Sequence, residues 1–228
     1  MNIGILTVAT GNYSKLFLNF KKEIIEKFLP FTNKSIFLFT DDLSVNHDNL
    51  INIMHLPWPL CTLLRFHYIN KHVENFVNFD YLFYIDVDMI PYNLIDEEVL
   101  SDKNEIVCAL HYWQEYSDSL YENSNYKSTA YVKLSNEFKN QYCQGCFFGA
   151  KTNIFLDMSK KLEENINQDL KNNIIAKWHD ESHLNKYIIT HEHKILHSGY
   201  THPQSIPINE NKNKIKFIHR NANTFGLD

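Results

Sequence analysis

The sequence is short of cysteine, of long apolar runs and of positive charge. Four cysteines among 228 residues form no short-loop disulfide framework, which predicts a reducing, cytoplasmic compartment. No apolar run approaches the roughly 20 residues that a membrane-spanning helix needs, and no basic leader precedes the first apolar stretch. The formal net charge of -5 gives no support for general attraction to nucleic acid. These features predict a soluble protein with no transmembrane segment and no nucleic-acid partner.

The composition predicts a folded core. Hydrophobic residues make up 44% of the chain and aromatic residues 14%, which is typical of a globular protein rather than a disordered one. No repeat, low-complexity tract or linker divides the sequence, so its length predicts one large domain or two abutting lobes. The aromatic content also suits a protein that stacks on sugar rings or on a nucleotide base.

Strand-like and helix-like segments alternate along the chain. Apolar runs without alternation predict strands buried on both faces at 3–9, 35–40, 50–54, 81–85, 105–110 and 145–149. Apolar residues at helical spacing predict helices at 13–25, 60–77, 153–168 and 182–189. This alternation predicts an α/β fold with a mostly parallel sheet. Ligands of such sheets bind beyond the carboxyl ends of the strands, where Thr10 and the motif Asp86-Val87-Asp88 follow two of them.

Asp86 and Asp88 directly follow the apolar strand 81–85. Two hard oxygen ligands on one face of a strand suit Mg²⁺ or Mn²⁺, especially when substrate phosphates complete the coordination shell. The alternative is that two acidic residues at a strand end simply face water, since the Asp-x-Asp pattern is common. The apolar strand favours the metal interpretation, because it puts the pair where a buried strand meets the binding crevice.

Six consecutive residues from Trp178 to His183, WHDESH, combine an aromatic ring, two histidines and two acidic residues. In one interpretation they begin a helix, with Asp180 as the N-cap and Trp178 in the core. In the other, Glu181 attacks or stabilises an anomeric carbon and Trp178 stacks on a sugar ring. His179 and His183 also have the spacing of half a zinc site, but Asp180 stands where the hydrolase pattern H-E-x-x-H has Glu. A zinc hydrolase is therefore the weaker alternative.

Cys143 and Cys146 have the C-x-x-C spacing of redox and zinc motifs, but no second pair accompanies them. We therefore expect two ordinary buried cysteines at the start of a strand. His111 directly follows the apolar stretch 106–110, which predicts that it lies at the end of another strand.

The stretch 178–187, WHDESHLNKY, closely resembles the signature of glycosyltransferase family six, which includes the histo-blood-group A and B transferases and the α1,3-galactosyltransferases. Residues 79–82 leading into 86–89 resemble the metal-binding strand of that family. Residues 145–149, GCFFG, resemble its donor-selecting stretch, and 38–41 also fit. The resemblance covers nearly the whole chain and keeps the order of the motifs.

This resemblance implies a GT-A fold in a single catalytic domain over 1–228, with a Rossmann-like nucleotide-binding half near 1–90 and an acceptor-binding half with the C-terminal tail at 91–228. It implies a retaining α1,3-glycosyltransferase that moves galactose or N-acetylgalactosamine from a UDP-sugar to a β-galactoside of an oligosaccharide, with or without fucose. The implied cofactor is Mn²⁺ or Mg²⁺ on Asp86 and Asp88. A non-catalytic protein that binds nucleotide sugars or carbohydrate is the main alternative.

The resemblance also implies roles for individual residues. Glu181 corresponds to the catalytic carboxylate, and His111, Trp178 and Glu181 correspond to acceptor contacts. The implied donor contacts are Val8, Thr10, Tyr13, Arg65, Asp86, Val87, Asp88, Gln144, Gly145, Cys146, His179, Asp180 and Arg220. Among them, Cys146 favours galactose by its bulk, whereas Gln144 is able to hydrogen-bond an acetamido group.

The sequence is similar to the short microbial or phage-encoded members of the family rather than to the Golgi enzymes, which carry an N-terminal anchor and stem. Many bacterial members have asparagines in place of the two aspartates and work without metal. Because this sequence keeps Asp86 and Asp88, we expect its activity to depend on a metal.

Overall fold

A computed structural model shows a mixed α/β protein and describes residues 1–113, 120–138, 140–208 and 212–221. Its strands are β1 (Asn2–Val8), β2 (Asn33–Thr40), β3 (Leu50–Asn52), β4 (Tyr81–Ile85), β5 (Met89–Pro91), β6 (Ile106–Leu110), β7 (Cys143–Lys151), β8 (His193–Leu196), β9 (His202–Pro203) and β10 (Phe217–His219). Its α-helices are α1 (Phe17–Lys27), α2 (Leu60–Leu63), α3 (Arg65–Lys71), α4 (Thr152–Lys171) and α5 (His179–Ile188).

The central sheet has seven strands in the order β3-β2-β1-β4-β7-β6-β8. β1 pairs in parallel with β2 and β4, β2 with β3, and β6 with β8, whereas β7 runs antiparallel to both of its neighbours. The other strands of this sheet therefore end at the edge where β7 begins. The predicted mostly parallel sheet is confirmed, and the architecture agrees with the GT-A fold that the resemblance implies.

Helices cover both faces of this sheet. Phe83 of β4 packs in one apolar cluster with Phe20 of α1. The next residue, Tyr84, packs on the opposite face with Phe66 of α3 and Phe155 of α4. Because neighbouring residues of a strand point to opposite faces, burial of both faces explains why the strands are continuous apolar runs in the sequence.

The prediction of one continuous helix at 60–77 is wrong. The chain forms α2, leaves helical geometry at Leu64 (φ -94, ψ 11), and continues as α3 and a 3-10 turn at Val73–Asn75. No glycine or proline accounts for the break. It coincides with Arg65, which is only 4% exposed, so tertiary contacts of this side chain override the helical pattern.

The start of α5 also differs from the prediction at 182. The helix begins at His179 with Trp178 as its N-cap, so Asp180 lies inside the first turn and is not a cap. The Trp178 N–H donates to Ser182 Oγ at 2.9 Å, which satisfies one of the free amides at this helix end. Trp178 is 43% exposed and therefore does not belong to the core.

A small second sheet brings the C-terminal part of the chain to the aspartate motif. β10 pairs antiparallel with β5, which directly follows Asp88, and parallel with β9. The Arg220 N–H donates to the Asp88 carbonyl oxygen at 3.1 Å. Within the described parts of the chain, no helix is long and apolar enough to cross a bilayer.

Candidate active site

The carboxyl ends of β1 and β4 and the beginning of β7 meet at one edge of the central sheet. β4 ends at Ile85, and the Asp86 N–H still donates to the Cys146 carbonyl oxygen of β7 at 3.0 Å. The antiparallel direction of β7 therefore puts Gln144 and Gly145 beside the aspartates, although they are distant in sequence.

A cavity of about 840 Å³ opens at this edge. It is lined by Val8, Thr10, Gly11, Asn12, Tyr13, His55, Leu56, Trp58, Cys61, Thr62, Tyr84, Asp86, Val87, Asp88 and His219. Another depression, of about 740 Å³, lies at the opposite edge around Met1, Asp80 and Lys151. We assign the candidate site to the first cavity, because ligands of parallel sheets bind at the carboxyl edge and the carboxylates of the sequence motifs lie there.

Asp86 and Asp88 differ in their partners. Asp86 Oδ1 accepts a hydrogen bond from the Tyr84 hydroxyl at 2.9 Å and lies 3.7 Å from Arg65 Nη1. Asp88 Oδ2 is 3.4 Å from His219 Nε2, whereas its Oδ1 is buried with no hydrogen-bond donor among the described residues. Burial raises the pKa of Asp86, with the Asp88 charge adding to the rise and Arg65 opposing it. The pair is therefore short of positive charge.

These two carboxylates fit a divalent cation. A buried carboxylate oxygen without a donor is costly unless a cation or another donor reaches it. No group of three or more His, Cys, Asp or Glu side chains suitable for a metal occurs in the described ranges. A cation held by Asp86 and Asp88 would thus take its remaining ligands from water and phosphate oxygens, as Mg²⁺ and Mn²⁺ commonly do.

Arg65 connects the aspartate pair to the beginning of α5. Its Nη1 donates to the Gly145 carbonyl oxygen at 2.8 Å, and its Nε lies 2.9 Å from Asp180 Oδ2. Its guanidinium carbon also lies 4.3 Å from the centre of the Tyr84 ring. This buried cation contacts protein groups on all of these sides. Its charge would therefore act on a bound ligand indirectly, through Asp86 and Asp180.

Asp180 and Glu181 are ionisable groups in the first turn of α5. Burial raises the pKa of Asp180 to about 6, although the Arg65 charge opposes the rise. Burial also raises the pKa of Glu181 to about 7, against the lowering effects of the Gly145 N–H and of Tyr142. Glu181 Oε2 accepts from the Gly145 N–H at 2.7 Å, and the buried Tyr142 hydroxyl is nearby without a hydrogen bond of ordinary geometry. Glu181 therefore changes its charge near neutral pH.

The start of β7 combines close packing with polar contacts. A Cβ at Gly145 would lie 3.3 Å from the Glu181 Cβ, so only a glycine lets the strand approach the helix without displacing its neighbour. Cys143 and Cys146 are both buried, as predicted. Gln144 Nε2 lies 3.0 Å from His219 Nδ1, which connects this residue to β10.

The residues that the resemblance relates to the acceptor and the donor sugar lie around α5 and the end of β6. His111 follows β6, and burial, with a smaller effect of His219, lowers its pKa to about 4. Half-exposed Trp178 precedes His179, whose ring packs edge-on against Trp58 with centroids 4.6 Å apart. His179 has a left-handed backbone with φ of 52 degrees, which is uncommon for a non-glycine residue.

The two histidines that suggested zinc do not share a site. His183 is buried with its Nε2 3.7 Å from Asp169 Oδ2 and its Nδ1 3.4 Å from Thr129 Oγ1. His179 instead contacts Trp58. The arrangement therefore gives no support to the zinc hydrolase alternative.

The remaining donor candidates lie on two sides of the cavity. Val8, Thr10 and Tyr13 line it at the end of β1, and Val87 lines it between the aspartates. Burial raises the pKa of Tyr13, and the Asp88 and Asp86 charges add to this rise, so the phenol is neutral near the two carboxylates. Arg220 lies beside Asp88 through its backbone, and burial lowers the pKa of its half-buried guanidinium.

Sequence reasoning missed part of the cavity wall. His55, Trp58 and Cys61 line the cavity from the segment before α2 and from α2 itself, which carry no recognisable motif. The sequence pattern places Tyr84 only in a buried strand, yet its hydroxyl reaches Asp86. The contact of Tyr84 with Asp86 is detectable from the sequence, because residues two apart on a strand lie on the same face of the sheet.

Comparison with known proteins adds to this geometry. The sequence profile of glycosyltransferase family 6 matches residues 1–226. The chain is 29% identical to the O-antigen biosynthesis glycosyltransferase WbnI of Escherichia coli over 209 residues, which cover 90% of this chain and 89% of the relative. It is 26% identical to the globoside alpha-1,3-N-acetylgalactosaminyltransferase 1 of Gallus gallus over 215 residues, which cover 88% of this chain and 61% of the relative.

A third similarity covers a shorter part of the sequence. The chain is 33% identical to the histo-blood group ABO system transferase 1 of Rattus norvegicus over 131 residues, which cover 56% of this chain and 36% of the relative. The matches therefore span less than two thirds of the chicken and rat proteins but most of the bacterial one.

Proposed function

The chain belongs to glycosyltransferase family 6 and is a glycosyltransferase, and from this premise we propose that it is a retaining α1,3-transferase of galactose or N-acetylgalactosamine. The donor would be the UDP-sugar, and the acceptor a β-galactoside of an oligosaccharide, with or without fucose. The observation that supports this most is that Arg65 lies between two groups of carboxylates, with Asp86 on one side and Asp180 and Glu181 on the other. A nucleotide sugar needs both groups, one near its diphosphate and one near its anomeric carbon.

For the donor, we assign the nucleoside to the part of the cavity lined by Val8, Thr10 and Tyr13, and the diphosphate to Asp86 and Asp88. A bound Mn²⁺ or Mg²⁺ would supply the positive charge that stabilises the departing diphosphate. The donorless Asp88 Oδ1 supports a cation at this position. His219 and Arg220 add positive charge at the same end of the cavity when His219 is protonated.

For the sugar, Glu181 is the residue that faces the positive charge developing at the anomeric carbon. With a pKa of about 7, raised by burial, much of it is ionised at neutral pH. The ionised carboxylate either bonds to this carbon or stabilises its charge, and in both forms the acceptor hydroxyl enters on the face that UDP leaves. The Gly145 N–H holds Oε2 in place, so the charge does not have to reorganise during the reaction.

The neighbours of Glu181 orient the two sugars. His179 and Asp180 would contact the donor sugar, and Gln144, Gly145 and Cys146 would border it. Exposed Trp178 offers an aromatic face to the acceptor, and His111 is a neutral hydrogen-bonding group near it because burial lowers its pKa.

A donor screen tests this proposal. The protein is incubated with UDP-galactose, UDP-N-acetylgalactosamine, UDP-glucose and UDP-N-acetylglucosamine, with and without a β-galactoside, and UDP release is measured with Mn²⁺ or with EDTA. We expect acceptor-dependent release from one or both of the galactose-type donors, and an α-linked product by proton NMR. A β-linked product, or release from the glucose-type donors alone, contradicts the proposal.

Chemical modification of Cys61 distinguishes the proposed transferase from a protein that binds nucleotide sugars without turnover. This cysteine lines the cavity and is half-buried, whereas the other three cysteines are buried. An alkylating reagent should therefore modify Cys61 first, and UDP with Mn²⁺ should slow the modification severalfold. Protection without any UDP release in the donor screen would favour the non-catalytic alternative.

A further inference from the structure

The start of β7 has a neighbouring strand on one side only. Cys143 lies opposite Leu110 of β6, whereas the pairing of β7 with β4 ends at Phe147 and Ile85. The Cys143 N–H donates to Asn185 Oδ1 at 2.7 Å, and Asn185 Nδ2 donates to the Cys143 carbonyl oxygen at 2.8 Å. Asn185 thereby makes both hydrogen bonds that a neighbouring strand would make.

The same amide also holds its own helix. Asn185 Nδ2 donates to the Glu181 carbonyl oxygen at 2.9 Å, and the side chain is fully buried with 0% exposure. In this orientation the amide oxygen accepts from one N–H, and the NH₂ group donates to two carbonyl oxygens. All three backbone partners are therefore satisfied. Buried hydrogen bonds of this kind are costly to break, because each lost partner leaves a polar group unpaired.

The spacing of helix and strand makes Asn185 and Glu181 act on neighbouring peptide groups. Residues four apart on a helix are separated by about 6 Å along its axis. Residues two apart on a strand are separated by about 6.7 Å. Asn185 reaches Cys143 while Glu181 reaches Gly145, so the two contacts fix α5 against β7 in one register.

We infer that Asn185 is a positioning residue that keeps the Glu181 carboxylate on the Gly145 N–H. Its effect on turnover rests on the proposed function of Glu181, whereas its effect on the carboxylate itself does not. Without the contacts to Cys143, α5 can slide or tilt relative to β7, and the hydrogen bond to Glu181 Oε2 weakens. A hydrogen bond to the charged form lowers a pKa, so its loss should raise the pKa of Glu181.

Asn185→Ala leaves the other titratable and charged groups near Glu181 chemically unchanged. They are Arg65 on α3, Asp180 on α5, Tyr142 before β7, Cys143 and Cys146 on β7, and His219 on β10. A shift in the titration of Glu181 in this variant would therefore come from the displacement of α5 against β7 and not from an added or lost charge.

Two substitutions test the inference. Asn185→Asp keeps the shape but loses both donors, and Asn185→Ala loses the whole amide. For each variant, kcat, the donor KM and the pH dependence of kcat/KM are measured. We expect kcat to fall on the order of tenfold or more, because small displacements of a catalytic group have large effects on rate. The donor KM should change little, and the acid limb should move to higher pH by about half a unit or more.

Ile188→Val is the matched control, since Ile188 is a fully buried residue of the same helix that makes only apolar contacts. It should lower stability slightly without moving the acid limb. A folded Asn185→Ala or Asn185→Asp protein whose pH profile superimposes on that of the wild type would overturn the inference. So would an equal shift in Ile188→Val, because the effect would then be one of general helix packing.

A readout without turnover separates this inference from the proposed function. Carboxyl-labelled glutamate is followed by ¹³C NMR, with Glu181→Gln used to assign the signal of residue 181. The titration midpoint of Glu181 should be higher in Asn185→Ala, which adds no charge, than in the wild type. If the wild type transfers no sugar yet the midpoint moves, the proposed function fails and the positioning role stands. If transfer occurs and the midpoint does not move, the positioning role fails.

Discussion

The two pairs of carboxylates differ in how fully the protein provides them with partners. The first pair is Asp86 and Asp88 at the end of β4, and the second is Asp180 and Glu181 at the start of α5. The first pair faces the cavity and is left incomplete, since Asp88 Oδ1 has no donor among the described residues. In the second pair, Asp180 lies 2.9 Å from Arg65 Nε and Glu181 accepts the Gly145 N–H. The protein therefore supplies partners to both acids of the second pair, whereas it leaves one carboxylate oxygen of the first pair to a ligand.

This difference indicates how the two pairs respond to substitution. An incomplete pair is a binding site, so its loss should weaken ligand binding with little effect on folding. A completed pair is preorganised, so its loss should affect the chemistry and the stability of the free protein. Each of the following predictions tests one side of this contrast.

The largest effect is expected for Glu181→Gln. Removing the negative charge should lower kcat on the order of 10³-fold, about 4 kcal/mol in transition-state stabilisation, because the charge at the anomeric carbon loses its counter-charge. The affinity for UDP, measured by calorimetry with Mn²⁺, should change little. Glu164→Gln is the control, since Glu164 is exposed on α4 and its ion pair with Lys161 at 3.4 Å lies on the surface. Turnover within a few-fold of the wild type would contradict the role of Glu181.

Arg65→Met tests the group that joins the two pairs. It leaves Asp180 buried without its partner at 2.9 Å and removes the nearby charge from Asp86. Breaking a buried ion pair in this way costs about 3–5 kcal/mol in the free energy of unfolding. Denaturant unfolding at pH 8 measures the loss, which should shrink towards pH 5 as the two aspartates become protonated.

Lys161→Met is the matched control for this cation. Lys161 forms an ion pair with Glu164 at 3.4 Å on the surface of α4, and such pairs contribute about 0–1 kcal/mol. An Arg65→Met protein that is destabilised no more than Lys161→Met would mean that Arg65 does not support the second pair.

Asp86→Asn and Asp88→Asn test the incomplete pair. We expect transfer to fall on the order of 10²-fold, and the remaining activity to be insensitive to Mn²⁺ and EDTA, because amides are weaker metal ligands than carboxylates. Asp88→Asn should destabilise the metal-free protein less than Arg65→Met does, since Asp88 Oδ1 has no partner and only the 3.4 Å ion pair of Oδ2 with His219 is weakened. Asp157→Asn, an exposed substitution on α4, should leave metal dependence unchanged. Wild-type activity with EDTA in Asp88→Asn would refute the metal assignment.

The sequence predicts the first pair better than the second. A strand buried on both faces and ending in two aspartates is visible without a structure, because one strand carries the whole signal. The partners of Asp180 and Glu181 come from α3 and β7, and no local pattern indicates them. The break at Leu64 that directs Arg65 inward has no glycine or proline, and Asn185 reads as an ordinary polar residue of a helix. Tertiary contacts determine these features, so single-sequence periodicity could not predict them.

The smallest expected effect is a gain in stability of Glu181→Gln at high pH, and it is specific to the second pair. Burial raises the pKa of Glu181 from 4.5 to about 7, so between these values the unfolded chain is ionised while the folded protein still binds the proton. Stability is therefore lost as the pH rises from about 5 to about 7 and stays lower above that range. Glu181→Gln has no such loss, because its amide oxygen still accepts the Gly145 N–H without a charge. It should exceed the wild type in free energy of unfolding by on the order of 1–3 kcal/mol at pH 8 and match it at pH 4.5. Denaturant unfolding at both pH values measures this. An equal gain in stability at pH 4.5 and at pH 8 would show that burial does not destabilise the ionised form of Glu181. The contrast between the two pairs would then rest only on their hydrogen-bond and ion-pair partners.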